Sequence, residues 1–254
     1  MRIKGLSLSP LVQTLNSAAL LAAWEEGVLQ ASPERALTLL ATAWPERSSA
    51  EWADASIGER DERLLLLREE LFGPQLEAAA DCPRCSEQLV LKFKTRDIRS
   101  QARPGSKAEL RVEASGYNVS FRLPTSADLL QLAASPEIDA SRALLKRCVT
   151  AALREGSRLD AEMLPEDVIT VITETMSQAD PQADVRINMN CPGCSQGWSM
   201  PFDVLSYLWG EIEDWAQRLL LEVHLLASAY GWSEGDIIAM SPNRRRIYLD
   251  LVGA

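Results

Sequence analysis

Apolar residues recur every three or four positions through the first part of the chain, which is the period of an α-helix. Ser9-Pro10 and Ser32-Pro33 are typical helix starts, because proline suits the first helical turn. A further start is indicated by Ser56, which precedes Glu59 by three positions as in a capping box. Residues 1–78 are therefore predicted to form an N-terminal helical region.

The spacing changes to a period of two after the first cysteine, and this period is typical of half-buried β-strands. Apolar residues alternate over positions 89–93, 110–123 and 185–189. The sequence therefore predicts a discontinuous β region over residues 79–123 and 184–203.

Helical spacing returns over residues 124–183, which are predicted as a helical segment between the two parts of the β region. One of its helices is predicted to begin at Asp139 and to place Leu145, Cys148 and Ala152 on one apolar side.

The C-terminal stretch, residues 204–254, has the strongest helical pattern of the chain. A continuous apolar stripe from Val204 to Tyr230 predicts one long helix. Shorter helices are predicted to start at Ser233 and at Ser241-Pro242, and the last one carries three consecutive arginines.

Four of the five cysteines form two pairs, Cys82-Pro83-Arg84-Cys85 and Cys191-Pro192-Gly193-Cys194. Two residues between cysteines allow both sulfur atoms to bind one ion, and two such pairs supply the four thiolates of a tetrahedral zinc site. Soft thiolates and a closed coordination shell favour a structural zinc over other metals. We therefore predict one structural Zn2+ bound by Cys82, Cys85, Cys191 and Cys194.

The two pairs are separated by the 105 residues from 86 to 190, whereas simple four-cysteine ribbons have about 15–20 residues there. A long insertion is tolerable because the entropy of loop closure rises only slowly with loop length. The predicted fold is α+β, mostly helical, with a small antiparallel four-cysteine zinc ribbon that carries a helical insertion.

Other roles are known for paired cysteines. A Cys-Pro-x-Cys motif also occurs in thiol oxidoreductases, but there it begins a helix, and here strands follow both copies. Disulfides are rare in the cytoplasm, and a catalytic zinc needs an open position for water. Zinc knuckles often have glycine after the second cysteine, where φ is positive, and here Ser86 and Ser195 stand in that position.

The other reactive side chains form no recognisable catalytic motif. Cys148 lies among apolar positions and is predicted to be core. The single histidine, His224, lies beside the stripe of the long helix, without the partners that a catalytic or metal-binding histidine needs. There is also no phosphate-binding glycine loop. We therefore expect a protein without enzymatic activity or a small-molecule substrate.

The charge of the chain limits its partners. A net charge of −10 argues against general nucleic-acid binding. Residues 84–111 differ, since eight basic and three acidic side chains give them a net charge of +5. This basic segment predicts a solvated strand surface, a site for an acidic protein or, as an alternative function, a zinc-ribbon regulator that binds nucleic-acid phosphates.

No membrane span or signal peptide is expected. Polar residues interrupt the N-terminal stretch, and no apolar run approaches the roughly 18 residues that a bilayer crossing requires. The predicted location is therefore the cytoplasm.

Several short motifs together resemble a bacterial protein family. They are Ile57-Gly58-Glu59-Arg60-Asp61, Phe72-Gly73-Pro74, the two cysteine pairs, Leu208-Trp209-Gly210-Glu211-Ile212, Tyr230-Gly231-Trp232 and Arg244-Arg245-Arg246-Ile247-Tyr248-Leu249. The family is encoded with contractile phage-tail-like particles, and its members are described as baseplate proteins or baseplate hub assembly chaperones.

The resemblance implies that the chain binds baseplate or hub proteins while a contractile tail or injection system is assembled. It implies no catalytic residues, and it leaves open whether the protein stays in the finished particle. Since tryptophan, tyrosine and arginine are enriched in interfaces, a docking surface is predicted at Trp209, Trp215, Tyr230, Trp232, Arg244, Arg245 and Arg246. The other interpretation, core aromatics with a helix-terminal arginine cluster, stays open.

Overall fold

A computed structural model describes residues 15–100, 109–134 and 139–253. The chain divides into two compact units. The first, called the terminal unit, comprises Met1–Arg47 and Ser206–Ala254, and the second, called the central unit, comprises Ser48–Leu205. The helix start predicted at Ser9-Pro10 lies outside the described residues.

Helix is the commonest secondary structure of the described residues. In chain order, the helices are α1 (Ser17–Val28), α2 (Ser32–Ala43), α3 (Ser49–Ala53), α4 (Ile57–Phe72), α5 (Thr95–Ile98), α6 (Ser126–Ala134), α7 (Ala140–Cys148), α8 (Glu166–Ala179), α9 (Val204–Tyr230), α10 (Glu234–Ile238) and α11 (Pro242–Val252). Single 3-10 turns occur at Ala161–Met163 and Pro181–Ala183.

The strands form three small antiparallel sheets. They are β1 (Gln75–Asp81), β2 (Gln88–Lys94), β3 (Leu110–Ala114), β4 (Tyr117–Phe121), β5 (Val149–Arg154), β6 (Ser157–Arg158), β7 (Arg186–Asn190) and β8 (Gly197–Pro201). β1 pairs with β2, β7 pairs with β8, and the other four strands form one sheet in the order β3-β4-β5-β6. The predicted α+β class is confirmed.

Short polar side chains begin several helices at the predicted positions. The Ser56 hydroxyl accepts a hydrogen bond of 3.2 Å from the backbone N–H of Glu59 at the start of α4. At the start of α7, the Asp139 carboxylate accepts one of 2.9 Å from the N–H of Arg142. These bonds satisfy backbone donors that have no partner within the helix, which fixes where each helix begins.

Secondary structure differs from the prediction in two stretches. β1 begins at Gln75, inside the region 1–78 that was predicted to be helical, because all seven of its residues pair with β2. The predicted helix through Ala152 ends at Cys148, where β5 begins and pairs with β4. The segment 124–183 therefore contains two strands, β5 and β6, as well as helices.

Each unit has its own apolar core. In the central unit, α7 and α8 contribute to a cluster with the four-stranded sheet, formed by Val112, Val119, Phe121, Leu145, Ala152, Leu164, Val168 and Ile172. In the terminal unit, α1, α9 and α10 contribute to two smaller clusters, formed by Leu21, Ala216 and Leu219 and by Val223, Leu226 and Ile237. None of the helices in the described parts of the chain has both the length and the apolar character needed to cross a membrane.

Candidate metal centre

The two cysteine pairs lie in the turns of two β-hairpins. The first turn joins β1 to β2, and the second joins β7 to β8. In the first turn, the N–H of Cys82 donates to the carbonyl of Glu87, and the N–H of Ser86 donates to the carbonyl of Cys82, both at 2.9 Å. These bonds close a tight loop that directs both sulfur atoms of the pair to the same side.

The second turn repeats the first. The N–H of Cys191 donates to the carbonyl of Gln196, and the N–H of Ser195 donates to the carbonyl of Cys191, again at 2.9 Å. Ser86 and Ser195 both have φ of +58°, which is the left-handed region that the sequence predicted for these positions. The turns are therefore two copies of one knuckle, and each copy presents two thiols.

All four Sγ atoms lie within 4.8 Å of one another. Across the knuckles, Cys82 Sγ is 3.6 Å from Cys194 Sγ, and Cys85 Sγ is 3.6 Å from Cys191 Sγ. Sulfur atoms about 2.3 Å from a tetrahedrally bound zinc lie about 3.8 Å apart, whereas a disulfide joins them at about 2.05 Å. The geometry therefore suits four thiolates around one metal ion.

The environment of the thiols differs from one cysteine to another. Desolvation raises the pKa of the Cys82 thiol, but hydrogen bonds from the backbone N–H groups of Arg84 and Cys85 and from neighbouring thiols outweigh it and lower that pKa to about 7. Desolvation also raises the pKa of the Cys191 thiol, and at this residue it outweighs the hydrogen bonds that lower the pKa. A bound cation lowers thiol pKa values further, because metal ligation needs the thiolate.

Glu87 connects the knuckles in a way that the cysteine spacing did not indicate. Its Oε2 atom lies 3.4 Å from Cys191 Sγ, on the other hairpin. A Cβ atom at Gly193 would lie 2.1 Å from the same oxygen, so a side chain at this position would displace the exposed Glu87 carboxylate. The Glu87 carboxylate of the first hairpin can therefore accept a hydrogen bond from the protonated Cys191 thiol of the second.

The fifth cysteine and the histidine lie away from this cluster. Cys148 is fully buried, and desolvation raises the pKa of its thiol to about 12, which makes it unreactive. His224 lies on the exposed side of α9. Neither belongs to the group of ligands around the four sulfur atoms.

Two of the residues predicted for the docking surface are buried instead. The Trp209 ring packs so closely on Gly27 that a Cβ there would lie 2.3 Å from it, and Arg35 lies over its face at 4.7 Å. The Arg245 side chain is 3% exposed and donates to Glu222 at 2.6 Å. Trp209 and Arg245 therefore stabilise the terminal unit from inside, which sequence spacing alone could not distinguish from an interface.

The other predicted docking residues are partly or fully exposed. Tyr230 stacks on Trp232 with ring centroids 4.4 Å apart, and both rings contact Tyr248. Trp215 is half-buried beside the cluster of Leu21, Ala216 and Leu219. Arg244 and Arg246 are exposed.

Much of the basic segment is already paired with carboxylates. Lys92 lies 3.1 Å from Glu77, and Arg99 lies 3.8 Å from Glu62. Arg96 and Arg111 also have carboxylate partners, at 3.6 and 2.9 Å. Two further basic residues of this segment, Arg103 and Lys107, lie outside the described residues. These pairs reduce the positive charge that the segment presents to phosphates.

A family model described as T4 bacteriophage base plate protein matches residues 38–206. The chain belongs to the T4 bacteriophage base plate protein family. The matched range includes the whole central unit and all four knuckle cysteines. Comparison with curated proteins and with solved structures gives no match. Membership confirms the resemblance to baseplate proteins of phage tails that the motifs indicated, and so it supports a role in the baseplate.

Proposed function

We propose that this base plate family member is a zinc-stapled protein without enzymatic activity, which binds other proteins during assembly of a contractile-tail baseplate or hub. The observation that carries the proposal is the convergence of four thiols, from cysteine pairs separated by 105 residues, within the range matched by the family. Such a centre fixes a shape rather than performing chemistry, because four protein ligands leave no position for a substrate.

Zinc is the ion that the donor set favours. Four soft sulfur ligands in a near-tetrahedral arrangement suit Zn2+, whereas Mg2+ and Ca2+ prefer oxygen ligands. Cys82 and Cys191 are buried, while Cys85 is exposed and Cys194 partly so. The ion would therefore lie near the surface, supported on one side by the hairpins.

The thiol oxidoreductase hypothesis has less support from the same geometry. Redox-active pairs use a cysteine at a helix N-terminus, and both pairs here lie in strand-to-strand turns. The nucleic-acid hypothesis is weakened because carboxylates pair with Lys92, Arg96, Arg99 and Arg111. Binding to other proteins fits both the family and the acidic character of the chain, whose net charge is −10.

The zinc proposal is tested by elemental analysis and thiol counting on protein purified without added metal. We expect one zinc per chain and one thiol, that of Cys148, that reacts only after unfolding. Cys82→Ser and Cys191→Ser should each abolish zinc retention, and Cys148→Ala should leave it unchanged. Zinc retained by both serine variants would contradict the shared site.

The assembly proposal is tested in the cells that produce the particle. Tagged full-length chain should co-purify with sheath, tube or baseplate proteins, and it should be lost from that complex in the Cys82→Ser variant. Quantifying the chain in purified finished particles then separates two roles. A fixed stoichiometry supports a structural component, whereas absence from finished particles with association during assembly supports a chaperone. No association at either stage would overturn the proposal.

A further inference from the structure

The last helix, α11, has two exposed apolar side chains on one face. Ile247 is 60% exposed and Leu251 is 71% exposed. They are four positions apart, so they lie on successive turns of the same face. Among the described large apolar residues with such exposure, this is the one pair at helical spacing. An isolated exposed leucine is ordinary, but an aligned pair forms a contact strip.

Arginines flank this strip. Arg244 precedes Ile247 by one turn on the same face, and Arg246 lies on the other side of the strip. Neither arginine has a carboxylate within ion-pairing distance among the described residues. Arg244 lies instead over the Tyr248 ring, at 5.8 Å from its centroid. We call Arg244, Arg246, Ile247 and Leu251 the α11 outer face.

The opposite face of α11 is firmly attached to the terminal unit. Arg245 donates to Glu222 at 2.6 Å and to the carbonyl of Met240 at 2.7 Å. Tyr248 and Leu249 pack on the cluster of Val223, Leu226 and Ile237. The outer face is therefore presented on a helix that is held in place, which reduces the entropy lost on binding.

We propose that the α11 outer face docks an amphipathic segment of a baseplate or hub protein that has apolar residues flanked by carboxylates. This inference rests on the proposed assembly function. Complementary charge favours an acidic partner, since the guanidinium groups of Arg244 and Arg246, which have no ion-pair partner among the described residues, outnumber the one exposed carboxylate of α11, that of Asp250.

The test uses site-specific photocrosslinking in cells that produce the particle. A photoreactive benzoyl-phenylalanine is placed at Ile247 of the full-length chain, and at Leu29, which is 92% exposed in the same unit, as a matched control. We expect position 247 to crosslink to a segment of one particle protein that is rich in leucine and glutamate or aspartate. The yield at position 29 should be at least tenfold lower.

Charge variants supply the second measurement. Arg244→Glu with Arg246→Glu should lower the crosslink at position 247 at least tenfold. Arg158→Glu with Arg218→Glu, which reverses two other exposed arginines, should leave it within about twofold. Circular dichroism melting of each variant confirms that the fold is retained. Equal loss in both double variants would overturn the charge argument.

The remaining outcomes separate this inference from the assembly role. Crosslinking of position 247 to a second copy, or equal crosslinking from positions 29 and 247, would overturn the proposed partner. A chain that still co-purifies with particle proteins but does not crosslink from position 247 leaves the assembly role intact and overturns the docking surface. A chain that co-purifies with no particle protein overturns both.

Discussion

At the scale of single residues, each knuckle has one serine in a conformation that favours glycine. Ser86 and Ser195 both have φ of +58°, where a Cβ atom approaches its own backbone. The turn is nevertheless formed in both places, because the Cys82 and Cys191 carbonyls accept hydrogen bonds from the two serine N–H groups. The local strain is therefore tolerated rather than relieved.

Replacing either serine with glycine should stabilise the protein. We expect Ser86→Gly and Ser195→Gly each to raise the free energy of unfolding by about 0.5–1 kcal/mol, since the relief of strain exceeds the added flexibility of the unfolded chain. Ser199→Gly, in the extended strand β8, is the control and should destabilise by about the same amount. Urea unfolding measures all three, and stabilisation by Ser199→Gly as well would refute the conformational explanation.

Asp128 gives a pH dependence that can be traced to one carboxyl group. Desolvation raises the pKa of Asp128, but hydrogen bonds from Arg122 and Thr125 outweigh it and hold the pKa below its ordinary value of 3.8. Arg122 donates at 2.7 and 2.8 Å, and the Thr125 N–H donates at 2.9 Å. The ionised form is therefore the one that the fold stabilises.

Because the pKa is depressed in the folded state, this stability is present above the unfolded pKa and is lost as pH falls through the folded pKa. We expect Asp128→Asn to lower the free energy of unfolding by about 2 kcal/mol at pH 7. The difference from the unmodified protein should shrink below about pH 4. A difference that stays constant between pH 7 and pH 3 would show that ionisation of Asp128 is not the cause.

At the scale of elements, the start of α4 explains why glycine stands at position 58. The N–H of Gly58 donates at 2.9 Å to the carboxylate of Asp180, which is buried. A Cβ at this position would lie 1.8 Å from Asp180 Oδ1. The carboxylate therefore approaches the positive end of α4 only because no side chain intervenes.

Gly58→Ala should consequently lower the free energy of unfolding by about 2–3 kcal/mol, through displacement of a buried hydrogen-bonded carboxylate. Gly210→Ala is the matched control in a helix, where a Cβ meets no atom within 4 Å, and it should be neutral or stabilising by up to about 1 kcal/mol. In an Asp180→Ala background, most of the Gly58→Ala effect should disappear. Denaturant unfolding of the original chain, of each single variant and of the double variant gives the four free energies of a double-mutant cycle. If the Gly58→Ala and Asp180→Ala effects are simply additive, the contact is not the cause.

The elements also show how far the sequence could predict the structure. The cysteine pairs and the apolar stripe of α9 could be recognised in the sequence, because spacing alone determines which residues share a turn or a helix face. The first four residues of β1, Gln75–Ala78, lie in the region predicted to be helical, and only pairing with β2 makes them extended. β5 was missed for a similar reason, since its spacing after Cys148 fits a helix until β4 is beside it. Glu87 could not be identified, because its contact with Cys191 spans 104 positions.

At the scale of the whole molecule, the proposed ion fastens hairpins that are remote in sequence. We expect chelation to increase hydrogen exchange at the N–H groups of Cys82, Ser86, Cys191 and Ser195, because their bonds belong to the knuckles. The N–H groups of Val119 and Phe121 should keep their protection, since β4 is paired on both sides. Exchange mass spectrometry with and without chelator is the measurement, and unchanged knuckle exchange would argue against a metal staple.

The order of the two knuckles along the chain has a consequence for synthesis. Cys191 follows Cys82 by 109 positions, so at roughly 5–20 residues per second the ribosome adds it about 5–20 s later. During that interval the first pair supplies only two of the four ligands. Binding of the proposed ion by all four thiols is therefore possible only late in synthesis, and a nascent chain that stalls before Cys194 lacks part of its ligand set.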